Sequence, residues 1–201
     1  MTFKYLLPLL LILISSCDKS NSVDIPYTSD IDIQIDGLFD NEKWNNYETI
    51  QLTPNNSLYL AQNKDYLFLG INNKENVGRY VDLYLENESI GIVNLHASMQ
   101  LGERKLIDSW NDTIPAWSWG NNNGWTANVV EPLNKGGEGS FLASVKPYQG
   151  HEFQISKKKI KDKKLKIRLE IKDFIGQAED IIFPVDSKRN ETENWLKVVM
   201  K

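Results

Sequence analysis

The ten residues KLKIRLEIKD (164–173) alternate without a break: Leu165, Ile167, Leu169 and Ile171 fall on one side, and Lys164, Lys166, Arg168 and Glu170 on the other. Successive side chains of a strand point to opposite faces, so this pattern predicts a half-buried antiparallel strand. The same period of two runs through IDIQID, with Ile31, Ile33 and Ile35 inward, and through YVDLYLE, with Val81, Leu83 and Leu85 inward. It is weaker in SLYLAQ, YLFLGIN, GIVNLHAS, HEFQIS and WLKVVM, and turn-forming runs such as TPNN, NNKEN and KGGEG separate the segments. The one helical signal is a single turn in DNEKW, which Asp40 is placed to cap. Short strands in succession, with no helices alternating between them, predict an all-β fold: a single-domain antiparallel β-sandwich.

The amino terminus addresses location. LLPLLLILI (6–14) follows one cation, Lys4, and is too short to span a bilayer, as a secretory signal peptide is. It ends in ISSC, where an aliphatic residue and two small residues precede Cys17, the sole cysteine of the chain. This resembles a bacterial lipoprotein signal, in which the cysteine is acylated and becomes the first residue of the mature protein. One cysteine makes no intramolecular disulfide, whereas two or more acyl chains anchor a protein stably. The expected organisation is a signal peptide over 1–16, a polar tether over 17–29 carrying lipidated Cys17, and one domain over 30–201. The location that follows is the outer membrane or surface of a bacterial cell. The net charge of −4, more negative once Lys4 is removed, argues against nucleic acid and against electrostatic attachment to anionic lipid. SKKKIKDKKLK (156–166) holds seven lysines and reads as a solvated turn guarding an exposed edge, in preference to a phosphate- or glycan-sulfate-binding patch.

Several segments, in order, resemble the family 9 carbohydrate-binding modules and their relatives. IQIDGLFDNEKWNNYETIQL is similar to the family's opening, where a strand runs into Ile-Asp-Gly, an acidic turn with a tryptophan, and a second strand. SLYLAQNKDYLFLGINN resembles its next pair of strands, RYVDLYLEN the strand after that, and HEFQISKKKIKDKKLKIRLEIKD its late pair. The resemblance covers residues 31–201. It implies a β-sandwich that binds sugars through stacking tryptophans, often with structural calcium. The tryptophans of this chain are not matched residue by residue to theirs.

SWNDTIPAWSWGNNNGW (109–125) concentrates four of the six tryptophans, Trp110, Trp117, Trp119 and Trp125, among Asn111, Asp112, Asn121, Asn122 and Asn123. An indole face offers apolar area and a negative quadrupole to the C–H patch of a sugar ring, and amides and carboxylates serve its hydroxyls. The candidate carbohydrate-binding residues are therefore Trp110, Trp117, Trp119, Trp125 and Asn121. Trp117 and Trp119 stand two apart and share a face if extended. The competing reading has these indoles pinning a long loop, each contributing roughly 2 kcal/mol of burial. Trp44 and Trp195 are expected in the core.

Other chemistries find less support. His96 and Met99 would fall on opposite faces of a strand, so one strand does not aim both at a haem iron. Two histidines and a lipidated cysteine make a zinc site improbable. Calcium has Asp36, Asp40 and Glu42 as hard oxygen donors, although a helix cap is the favoured role of Asp40. Asp108, Asp112, Glu131 and Glu138 lie near the aromatic loop without forming a recognisable catalytic pair, and no nucleophile or phosphate-loop motif occurs. The expectation is a non-catalytic envelope lipoprotein, monomeric or loosely associated, that binds an oligo- or polysaccharide through the aromatic loop, with no cofactor beyond structural calcium. The alternative is an accessory lipoprotein docking a partner protein through the same aromatic surface.

Overall fold

The computed structural model describes residues 21–39, 41–72, 79–106, 116–120, 123–130, 148–173 and 178–201. The signal segment and Cys17 lie outside them. In chain order the elements are β1 (Ser22–Ile25), α1 (Asn41–Trp44), β2 (Glu48–Thr53), β3 (Asn56–Gln62), β4 (Tyr66–Asn72), β5 (Arg79–Asn87), β6 (Gly91–Ala97) and β7 (Leu101–Leu106). They continue with β8 (Ser118–Trp119), β9 (Trp125–Ala127), β10 (Gly150–Ser156), α2 (Lys157–Ile160), β11 (Lys164–Asp173), β12 (Ile181–Phe183) and β13 (Leu196–Met200).

The predicted sandwich is present. One sheet has the order β1-β13-β11-β5-β6-β7-β8, with β12 beside β11, and the other has the order β2-β3-β4-β10-β9. Pairing is antiparallel throughout except between β1 and β13, which run parallel. The alternation read from the sequence becomes rungs of the core. Leu169, Leu83 and Leu95 are cross-strand neighbours in the larger sheet, and Leu60, Leu69, Phe153 and Ala127 in the smaller. These residues belong to one buried cluster between the sheets, where each large aliphatic side chain contributes roughly 1.5–3 kcal/mol.

Two expectations near the amino terminus are corrected. Ser22–Ile25 is not tether: it pairs with β13, and Ile25 is fully buried in the core, so the domain begins by Ser22. The two apolar positions that decide this, Val23 and Ile25, are too few to stand out in a polar run. Residues 31–35 are not a strand either. They cross the outer face of the smaller sheet, where Ile33 joins Phe39, Trp44, Tyr59 and Phe68 in a second cluster and Ile31 and Ile35 pack against it. The backbone N–H groups of Asp36 and Gly37 donate to the buried carboxylate of Glu152 on β10, in place of a ladder partner. Trp44 is fully buried here and Trp195 is fully buried on the outer face of the larger sheet, as expected of both.

A buried histidine gives the fold a pH dependence. His151 Nε2 donates to the Arg79 carbonyl at 3.1 Å, and the same carbonyl accepts from the Tyr148 hydroxyl. Nδ1 is buried with no hydrogen-bond partner among the described residues, so a second proton there meets no acceptor among them. Burial lowers the His151 pKa to about 4, against the smaller opposing effect of the Arg79 bond. An unfolded histidine titrates near 6.5, so between those values the unfolded chain binds a proton that the folded one refuses. Stability is complete above pH 6.5 and is expected to fall by roughly 3 kcal/mol on acidification towards pH 4. Urea titrations at pH 7 and pH 4.5 measure this; His151→Gln should flatten the difference between them.

Candidate functional site

The outer face of the larger sheet carries polar and aromatic side chains where most of the inner face carries aliphatic ones. One register line runs Glu170 (β11), Asp82 (β5), His96 (β6), Gly102 (β7) and Trp119 (β8). The adjacent line runs Arg168, Tyr84, Asn94 and Arg104. Strand alternation alone puts these two lines on one side, because their neighbours Leu83, Leu95 and Leu169 point into the core.

At the β8 edge Trp117 and Trp119 sit together over this face, with ring centroids 5.4 Å apart and planes tilted by 34°. His96 lies 5.2 Å from Trp117 and 5.6 Å from Trp119, edge-on to the latter, and Tyr80 lies 5.3 Å from His96. The Arg104 guanidinium covers Trp117 at 4.1 Å, a cation–π contact. Gly102 makes the arrangement possible: a Cβ there would stand 2.8 Å from the Trp119 ring and 3.2 Å from that of Trp117. Trp119 remains 50% exposed and Trp117 half-buried, so one indole presents a face while the other supports it.

The polar groups beneath are ordered. Asp82 Oδ1 meets His96 Nδ1 at 2.8 Å. Arg168 Nη1 donates to Glu170 Oε1 at 2.6 Å, and Arg189 adds a second, two-point contact. Burial alone would raise the Glu170 pKa, but the hydrogen bonds and charges of Arg189 and Arg168 outweigh it and hold the carboxyl down to about 2. Burial, reinforced by Asp82 and Glu170, pushes the Tyr84 hydroxyl up. Asn94 is fully buried in the middle of the second line, and neither of its amide atoms has a hydrogen-bond partner among the described residues.

The aromatic segment thus divides. Trp117 and Trp119 share a face, as their spacing predicts. Trp125 does not join them, and its place in the candidate site is corrected: it is 4% exposed on β9, stacked on Phe153 and bonded through Nε1 to Glu103 Oε2 at 2.8 Å. Its partner positions in WTA, Trp125 and Ala127, both face the core, a two-residue alternation too short to be read as a strand. Trp110 and Asn121 lie outside the described residues, as do Asp108, Asp112, Glu131 and Glu138. Tyr80 and Arg104 carry no signal of a site in the sequence, and His96, weighed there only as a haem ligand, comes beneath the indoles through the cross-strand register alone. In the loop considered for calcium, Asp36 faces the Lys43 ammonium at 3.5 Å and Asp40 lies outside the described residues. No group of three or more His, Cys, Asp or Glu is gathered as a metal site among the described residues.

Gly102→Val is expected to push both indoles off the sheet, with a shifted tryptophan emission maximum and a stability change below about 1.5 kcal/mol, because the displaced rings lie at the edge and outside the core. Fluorescence and urea unfolding of the same samples check the two halves of that expectation.

No family model, curated protein or solved structure matches the chain.

Proposed function

We propose that the protein is a cell-envelope lipoprotein that binds carbohydrate without turning it over, using the edge of its larger sheet. The observation that carries this reading is the half-exposed Trp119 indole, braced by Trp117 and His96 and seated on Gly102. A flat aromatic face backed by packed neighbours suits the C–H patch of a pyranose, and the partly exposed His96, paired with Asp82, lies beside the indoles. The carboxylates described on this face favour binding over hydrolysis. Among the described residues of the face, Asp82 is engaged by His96, Glu86 by Lys166, and Glu170 is held ionised between two arginines. A lipid at Cys17 would array many copies on one surface, so weak single sites would gain by multivalency.

A glycan-array screen of the full-length protein in mild detergent tests the reading, run beside a doubly substituted Trp117→Ala, Trp119→Ala protein whose fold is checked by circular dichroism. Hits that the folded double variant loses support it. A folded protein without hits removes it and leaves the alternative, partner docking through the same surface.

A further inference from the structure

The same strand that seats the indoles bears a second feature on its other face. A cavity of about 520 Å³ opens beside the end of β7, the β5–β6 turn and the β10–α2 junction, with Ile90 and Val93 among its lining. Four lysines line it: Lys105 from β7, Lys158 and Lys159 from α2, and Lys161 from the residue that ends α2. Lys159 is committed, donating to Glu103 Oε1 at 2.6 Å. The ammonium groups of Lys105, Lys158 and Lys161 have no acidic partner among the described residues, so the cavity is strongly positive in a chain whose net charge is −4.

Local geometry holds these cations around the opening. The Ser156 hydroxyl accepts from the Lys158 N–H and starts α2. Lys161 ends it in the left-handed region at φ 62°, a position that ordinarily favours glycine. The chain entering β9 turns through Gly124 at φ 75°, where a Cβ would stand 3.3 Å from the Lys159 Cβ. Three strongly hydrated point charges thus line a recess with apolar side chains in its wall. That combination fits a ring bearing an anionic substituent better than it fits a flat anionic surface. Gly102 beneath Trp119 and Lys105 at the cavity are three residues apart on β7, roughly 10 Å, on opposite faces of an edge that one glycan chain can cross.

We infer that this cavity is an anion subsite of the glycan site, taking the carboxylate or sulfate groups of an acidic saccharide; this rests on the glycan reading of the Trp119 face. The test titrates full-length protein with three probes: a heparin-derived hexasaccharide, a hexameric oligogalacturonate and neutral cellohexaose. The variants are Trp119→Ala and the triple substitution Lys105→Gln, Lys158→Gln, Lys161→Gln. At least one acidic probe is expected to bind tenfold or more tightly than cellohexaose, with affinity falling as salt is added. The triple variant should lose at least tenfold for that probe and keep its unfolding midpoint. Equal affinity for acidic and neutral probes, with both dependent on Trp119, overturns the subsite and leaves the platform standing. Binding of none of the three probes overturns both. Binding of phosphatidylglycerol vesicles that the triple variant loses, without binding of either acidic probe, also overturns the subsite and reassigns the lysines to a membrane surface.

Discussion

Trp119→Ala is expected to weaken binding of the best array glycan by tenfold to a hundredfold, roughly 1.4–2.8 kcal/mol, while leaving stability nearly unchanged. The two halves come from one fact: the indole is 50% exposed and sits at the sheet edge outside the buried clusters, so its loss opens no cavity in the core. Trp125→Ala is the matching control with the opposite result. That ring is buried against Phe153 and bonded to Glu103, so its truncation is expected to cost about 3–5 kcal/mol of stability. Isothermal titration and urea unfolding of both variants separate the surface from the scaffold. A Trp119→Ala protein that binds as well as wild type would remove Trp119 from the site.

A loss of stability as large as that of Trp125→Ala is expected from Glu152→Ala. This carboxylate is fully buried on the outer face of the smaller sheet and accepts at 3.0 Å from Asp36 N, Gly37 N and Trp44 Nε1, with Lys43 Nζ at 3.2 Å. Four donors converge on one side chain, and through it the segment of residues 31–47 is tied to the sheet. Removing it leaves the three N–H donors without their acceptor and the largely buried Lys43 ammonium with only Asp36 and the Gln34 carbonyl, a penalty of about 3–5 kcal/mol. Glu152→Gln, which keeps the shape but turns one acceptor into a donor facing N–H groups, should fall between. Urea unfolding followed by tryptophan emission measures all three proteins; a loss below about 1 kcal/mol for Glu152→Ala would mean the segment is held by its apolar contacts alone.

What the sequence disclosed follows from how local each signal is. Alternation is local, so β3, β4, β5, β6, β10, β11 and β13 were legible, and with them the sandwich. The same signal misplaced residues 31–35, because three isoleucines at alternate positions bury equally well on top of a sheet or within it; the choice lay with Glu152, more than a hundred residues away. Trp117 and Trp119 were legible as a pair because a spacing of two needs only an extended chain. Their bed was not: His96, Gly102 and Tyr80 come together through the register of three strands, which no short window contains. Trp125 was misread for the complementary reason. Six residues after Trp119 the chain has passed to the other sheet, so proximity in sequence misrepresents proximity in space. The lysine run was legible as charge, and its cavity only as tertiary structure.

The most direct measurement is a ¹H–¹⁵N spectrum of the tryptophan indoles of full-length protein titrated with the best array glycan. Binding at the sheet edge requires the Trp119 indole resonance to shift most and that of Trp117 next, while Trp44, Trp125 and Trp195 stay in place. Saturation with no movement of Trp119, or movement confined to the buried indoles, would contradict a carbohydrate platform on this face.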